Sequence, residues 1–283
     1  LHAKQVLSGE SDSDMSRDYQ KLHDMVAIYS DDEEEKQWLR EKAAALPNNY
    51  WALHSPEVVS RQLIEMRAVS PQEVVCYVNE QPESGLCEIC IGKAASRRTG
   101  IFYKITGMLS SLGLQIRSAD IKPLGNSLMF YWIQFEDREF KDPPQSRLDD
   151  IKQRAIDLVL GTDDSLPKFR SFLKNEETLA LKLSRPEIRV KIDNETVSSA
   201  TIIDVFAYDK TGLLYRLLKK IHRLGLDVTY ARISTYAHQV IDVFYVTDEQ
   251  GNKIRNRNQI QLIKQEVLRA AKDFLEPPEP SDD

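Results

Sequence analysis

Thr99-Gly-Ile-Phe-Tyr-Lys-Ile-Thr-Gly-Met-Leu-Ser-Ser-Leu-Gly-Leu114 aligns without a gap on Thr211-Gly-Leu-Leu-Tyr-Arg-Leu-Leu-Lys-Lys-Ile-His-Arg-Leu-Gly-Leu226. Extended to Ile121 and Ile233, the alignment holds 8 identities in 23 positions at a constant offset of 112, and five of the other positions exchange one apolar residue for another. An internal repeat of this length fixes the architecture before any single element is read: the chain carries two copies of one small domain.

Each copy reads the same way. In the second, Thr201–Tyr208 is β-branched and aromatic, as a strand requires. After the turn Asp209-Lys-Thr-Gly212, Leu213, Leu214, Leu217, Leu218, Ile221 and Leu224 recur at helical spacing, and Gly225 ends the helix. Asp227–Tyr236 and Val240–Thr247 read as a strand pair, followed by a helix over Asn258–Phe274. The first copy repeats the order with a strand over Cys87–Ala95, a helix over Ile101–Leu112, strands over Gln115–Leu124 and Leu128–Phe135, and a helix over Arg147–Leu160.

The βαββα order predicts an α+β fold, two tandem ferredoxin-like domains with two helices on one face of each sheet. Such a fold normally closes with a fourth strand after the second helix, and neither copy has one. Each has instead an extra strand ahead of the first, Val74–Asn79 and Ile188–Asp193, expected to pair antiparallel with the strand it precedes. The predicted organisation is a helical arm (1–70), a first domain (71–160), a linker (161–185), a second domain (186–275) and an acidic tail (276–283). Within the arm, Ser55-Pro56-Glu57 reads as a cap, a first-turn proline and a favourable acid, starting a helix that runs to Met66.

Composition sets the outer limits. Of 283 residues, 41% are hydrophobic and 29% charged, with no apolar run near membrane-spanning length. The net charge of −6 is uneven: residues 1–70 hold 13 acids and 8 bases, whereas 71–275 hold 30 bases and 27 acids, too balanced for a nucleic-acid footprint. Asp31-Asp-Glu-Glu-Glu35 reads as the acidic first turn of a helix over Glu34–Leu46. The three cysteines, with no secretory signal ahead of them, fit a reducing cytoplasm. Cys87-Glu-Ile-Cys90 has CxxC spacing but lies in a strand, with no further ligand pair, so no metal site is expected.

Around the repeats the chain resembles ACT domains, small regulatory modules that bind amino acids: Asp209-Lys-Thr-Gly-Leu-Leu214, Leu224-Gly-Leu-Asp-Val228 and Ala231-Arg-Ile-Ser-Thr235 carry the likeness. The stretch from Ile188 through Asp248, with Leu46-Pro-Asn-Asn-Tyr50 and His54-Ser-Pro-Glu-Val58 upstream, is similar to the C-terminal part of the bacterial PII uridylyltransferase/uridylyl-removing enzymes. The resemblance covers roughly residues 40–275. It implies a cytoplasmic, glutamine-sensing regulatory region in the control of nitrogen metabolism. Its partners would be glutamine or another amino acid and, through the parent enzyme, the PII signalling protein. Neither nucleic acid nor membrane is implied. The parent family has a nucleotidyltransferase and an HD-type phosphodiesterase domain, for which Mg2+ is implied. Neither catalytic signature can be placed here: no Gly-Ser dipeptide occurs, and His23-Asp24 stands without the other ligands of an HD site. No catalytic residue and no cofactor are therefore assigned to this chain, and Leu1 is expected to be the cut end of a longer enzyme. The alternative is a free-standing tandem ACT protein that binds amino acids without catalysis.

The candidate binding residues are Asp209, Lys210, Thr211, Gly212 and Leu213 in the second copy, and Arg97, Arg98, Thr99 and Gly100 in the first. A helix N-terminus offers amides and a positive dipole end for a carboxylate, Gly212 allows close approach, and Asp209 suits an ammonium. Asp-x-x-Gly is equally a plain turn in which Asp209 caps the helix, and both roles stay open. At the position of Asp209 the first copy has Arg97, which repels an ammonium, so the second copy is expected to hold the tighter glutamine site. His222 is expected on a solvated face, His238 at a strand turn, Tyr103 and Tyr215 in matching packing positions, and Trp132 in the place of Phe244.

Overall fold

The computed structural model describes residues 21–81, 84–94, 100–125, 127–161, 187–236 and 239–275. After a helical stretch over 21–26 and a 3-10 turn at Ala27–Tyr29, the arm contains α1 (Glu33–Ala45), α2 (Asn48–Trp51) and α3 (Pro56–Arg67). The first repeat comprises β1 (Val75–Gln81), β2 (Leu86–Ala94), α4 (Ile101–Ser111), β3 (Leu114–Pro123), β4 (Leu128–Asp137) and α5 (Gln145–Leu160). The second comprises β5 (Arg189–Asp193), β6 (Thr201–Tyr208), α6 (Leu213–Arg223), β7 (Leu226–Tyr236), β8 (Gln239–Asp248) and α7 (Arg257–Leu275). The expected linker and tail lie, apart from Gly161, outside the described residues.

The caps behave as their residue types require. Asp32 accepts the Glu35 amide and Ser55 the Val58 amide, opening α1 and α3 with acids in their first turns. Both extra strands pair antiparallel with the strand they precede, Tyr77 opposite Cys90 and Lys191 opposite Asp204. They fill the edge that a ferredoxin-like fold closes with its last strand.

The two repeats share one eight-stranded antiparallel sheet in the order β1-β2-β4-β3-β7-β8-β6-β5, joined where β3 pairs with β7. Helices α5, α4, α6 and α7 lie side by side on one face, and a single apolar core runs beneath them through both repeats. On the other face the arm covers only the first repeat. Leu39, Tyr50, Val59, Leu63 and Met66 pack there on Cys90, Phe130 and Trp132. Cys87 therefore belongs to the helix side and Cys90 to the arm side of one strand, the alternation expected of residues three apart.

Both central strands carry a bulge at the same repeat position, at Arg117 in β3 and Thr229 in β7. The hairpins that follow differ by one residue: Ala119 faces Ile133, whereas Ala231 faces Phe244. The offset thus falls from 112 to 111 in the fourth strand. Phe244 corresponds to Ile133, and Trp132 corresponds to Val243, which corrects the gap-free pairing of Trp132 with Phe244. A shift of one residue turns a side chain to the opposite face. Trp132 accordingly lies under the arm, while Phe244 lies under the helices.

A buried carboxylate ties the arm down. Glu88, 1% exposed, accepts from His54 Nε2 at 3.0 Å, Trp132 Nε1 at 2.8 Å and Gln81 Nε2 at 3.0 Å. Burial alone would raise this carboxyl; the donors from His54, Trp132 and Asn79 outweigh it and hold the group below its ordinary value. His23 packs on the Trp51 ring, and Asp24 lies 3.8 Å from Arg40, so the His23-Asp24 doublet is spent on packing and a surface ion pair.

Candidate ligand-binding site

Two clefts open where the repeats meet, one on each side of the β3–β7 seam. They are built from corresponding parts. In the first cleft, the Asp209–Gly212 turn and the start of α6 overhang the beginning of β3 at Gln115 and Ile116, with Asp242 of β8 in the lining. In the second, Gly100 and the start of α4 overhang the beginning of β7 at Asp227 and Val228, with Tyr131 of β4 in the lining. The first encloses about 380 Å³ and the second about 760 Å³, solvent included.

The sequence creates each turn in the same manner. Gly100 and Gly212 stand at the N-caps of α4 and α6 with φ of 80° and 92°, a left-handed conformation that a Cβ disfavours. The N-cap of α6 is thus Gly212 and not Asp209. Leu213 N–H donates to Lys210 O at 2.9 Å, and Arg216 N–H makes the bond to Gly212 O at 3.0 Å. The amide of Leu214 precedes that bond, in the part of a helix where N–H groups have no acceptor within the helix.

Asp209 is held from the opposite repeat. Its Oδ2 accepts from Gln115 Nε2 and, at 3.2 Å, from Nη1 of Arg117, the bulged residue of β3. Arg117 is shared with Glu136, to which its Nε donates at 3.1 Å. Lys210 also lines the first cleft, its Nζ donating to Phe274 O at 3.1 Å and lying 5.1 Å from that ring. Thr211 lines the first cleft together with Gly212 and Leu213. Asp242 is 1% exposed, and its Oδ1 has no hydrogen-bond partner among the described residues. Burial, reinforced by the nearby Asp209 charge, pushes the Asp242 carboxyl up to about 8.

The second cleft has different chemistry at corresponding places. Tyr131 replaces Asp242, Asp227 replaces Gln115, and Thr229 replaces Arg117. Burial raises the Asp227 carboxyl against the opposing effect of the Val228 and Gly100 amides and of His222. His222 is stacked on Tyr103 with ring centroids 4.8 Å apart, so it lines a cleft and does not sit on a solvated face. Arg97, Arg98 and Thr99, like His238, lie outside the described residues. Asp242 escaped the sequence reading because nothing in its strand distinguishes a cleft acid from a solvated one. Only the repeat register, which sets it in the place of Tyr131, singles it out.

The sheet, the helix layer and the paired clefts define an α+β chain of two ACT-type βαββα repeats behind a helical arm. Residues 196–273 match the family model described as the ACR family N-terminal ACT domain. Three similar curated proteins share one name. The bifunctional uridylyltransferase/uridylyl-removing enzyme of Azospirillum brasilense is 27% identical over 226 residues, covering 79% of this chain and 24% of that protein. Its counterpart in Erythrobacter litoralis is 28% identical over 246 residues, covering 83% of this chain and 26% of that protein. In Gluconobacter oxydans the figures are 28% over 207 residues, 70% and 21%. The chain is homologous to these enzymes over most of its length and spans about a fifth to a quarter of theirs. Among the described residues no helix is long and apolar enough to cross a membrane.

Proposed function

We propose that this chain is the regulatory, amino-acid-sensing part of a uridylyltransferase/uridylyl-removing enzyme, with glutamine as the ligand and the PII protein as the target of the enzyme it controls. The observation that supports the reading is the first cleft, where the turn of one repeat and the bulged strand of the other supply an anion-favouring helix start beside carboxyl groups. Free amino acids carry their carboxylate and ammonium about 3 Å apart, and such a pair of opposite poles is what they need. The ligand carboxylate sits at the start of α6 over Thr211–Leu214, and the amide side chain extends along the cleft. Asp209 fixes Arg117 and Gln115 of the other repeat in the same wall.

Because each wall comes from a different repeat, a ligand binding there favours one relative placement of the repeats over others. It shifts activity upstream only in so far as it binds one state better. Calorimetric titration of glutamine into the chain tests the reading, with saturable binding expected and at least tenfold weaker binding in Asp209→Ala. Unchanged affinity in that variant removes the turn from the site. In the second copy Lys210, Thr211, Gly212 and Leu213 act through their backbone. Arg97, Arg98, Thr99 and Gly100 are the candidate residues of a second, weaker or differently selective site.

A further inference from the structure

At the first cleft the fold leaves an acid that stability does not require. Asp242 lies in β8 between Ile233 of β7 and Val205 of β6, in the layer facing the helices. Tyr131, at the corresponding place in the other repeat, is only 6% exposed. A carboxyl with an unpartnered oxygen in such a layer is costly unless something else uses it. Asp209, the acid expected to take the ligand ammonium, has one oxygen already engaged by Gln115 and Arg117. The cations of the cleft wall are likewise engaged, Arg117 with Asp209 and Glu136 and Lys210 with Phe274 O.

We infer that Asp242 receives the ammonium group of a bound amino acid and ionises as it does so, so that ligand binding releases a proton. The inference rests on the reading of this cleft as an amino-acid site and deepens it. In the free chain burial, together with the charge on Asp209, keeps the Asp242 carboxyl protonated at neutral pH. An incoming ammonium supplies the missing positive charge. The Asp242 proton passes to solvent, and the resulting carboxylate accepts an N–H bond from the ligand through Oδ1. The second cleft has a phenol in this position, and its own carboxyl, Asp227, stands instead where the first cleft has Gln115, so the two clefts would hold an α-ammonium differently.

The sign of the linkage follows. Below about pH 8 the free chain holds a proton that the complex lacks, so affinity rises with pH, at most about tenfold per unit, and levels off above it. Calorimetry of glutamine on the 283-residue chain, in two buffers of different ionisation enthalpy near pH 7, reads the proton count directly. Close to one proton released per ligand is expected, with a deaminated glutamine analogue failing to bind. Asp242→Asn, which keeps the shape and neutrality of the protonated acid, is expected to bind glutamine at least tenfold more weakly and without proton release. Binding that releases no proton in the unaltered chain overturns the inference while leaving the amino-acid site in place. Retention of both affinity and proton release in Asp242→Asn overturns it as well. If none of the twenty common amino acids binds, the reading of the cleft fails and the inference fails with it.

Discussion

Asp120 of β3 and Arg232 of β7 occupy the same position in their two repeats and are also each other's partner in the register that joins them. Arg232 Nε lies 3.4 Å from Asp120 Oδ1. On either side, Ala119 faces Ile233 and Ile121 faces Ala231, each pair the reverse of the other. The seam therefore has approximate two-fold symmetry about a point where strict symmetry would oppose two like charges. The opposite signs favour joining one first repeat to one second repeat over joining two identical ones.

Arg232→Asp places a second carboxylate against Asp120, whose side chain is 2% exposed, and is expected to cost about 1–3 kcal/mol in urea unfolding. The exchange Asp120→Arg with Arg232→Asp is expected to recover most of that loss. A double variant no more stable than the single one would show that the pair does not specify the seam.

The arm's attachment depends on an ionised Glu88. Its carboxyl is held below the ordinary value of 4.5, so its contribution is complete above that pH and is lost as pH falls through the lower folded value. Glu88→Gln keeps the size but replaces an oxygen that accepts from His54, Trp132 and Gln81 by a donor, and is expected to cost about 2–4 kcal/mol. Proteolysis within residues 30–70 should accelerate in this variant and, in the unaltered chain, as pH falls from neutral to below the ordinary carboxyl value of 4.5. Equal cleavage rates at both pH values would contradict the account.

Gly100→Ala and Gly212→Ala separate the two turns. Both residues have positive φ, and at Gly100 an added Cβ would also lie 2.6 Å from Tyr103 Cε1 and 3.1 Å from His222 Cε1. Each substitution is expected to lower stability by about 1–2 kcal/mol in thermal unfolding. Only Gly212→Ala is expected to reduce glutamine affinity substantially. The reverse pattern would place the ligand in the second cleft.

The strand Thr201–Tyr208 and the helix that follows it were legible because their period and punctuation are local: β-branched alternation, a leucine stripe, a glycine at each end of the helix. The antiparallel pairing of β1 and β5 followed from the vacant edge. What local pattern does not carry is register between distant strands. The one-residue difference between the hairpins moved Trp132 to the arm side and put Asp242 opposite Ile233 in the cleft. The site was half visible for the same reason. The Asp209–Gly212 turn announces itself, but its partners Gln115 and Arg117 come from the other repeat, more than ninety residues away. Gln115 reaches it from the start of β3 and Arg117 from the bulge two residues on.

Calorimetric titration of glutamine into the unaltered chain tests the central claim most directly, because the two clefts correspond in position but not in chemistry. The account predicts one saturable high-affinity site per chain, in the cleft that Asp242 lines. No binding heat up to millimolar glutamine, or two equal sites per chain, would contradict it.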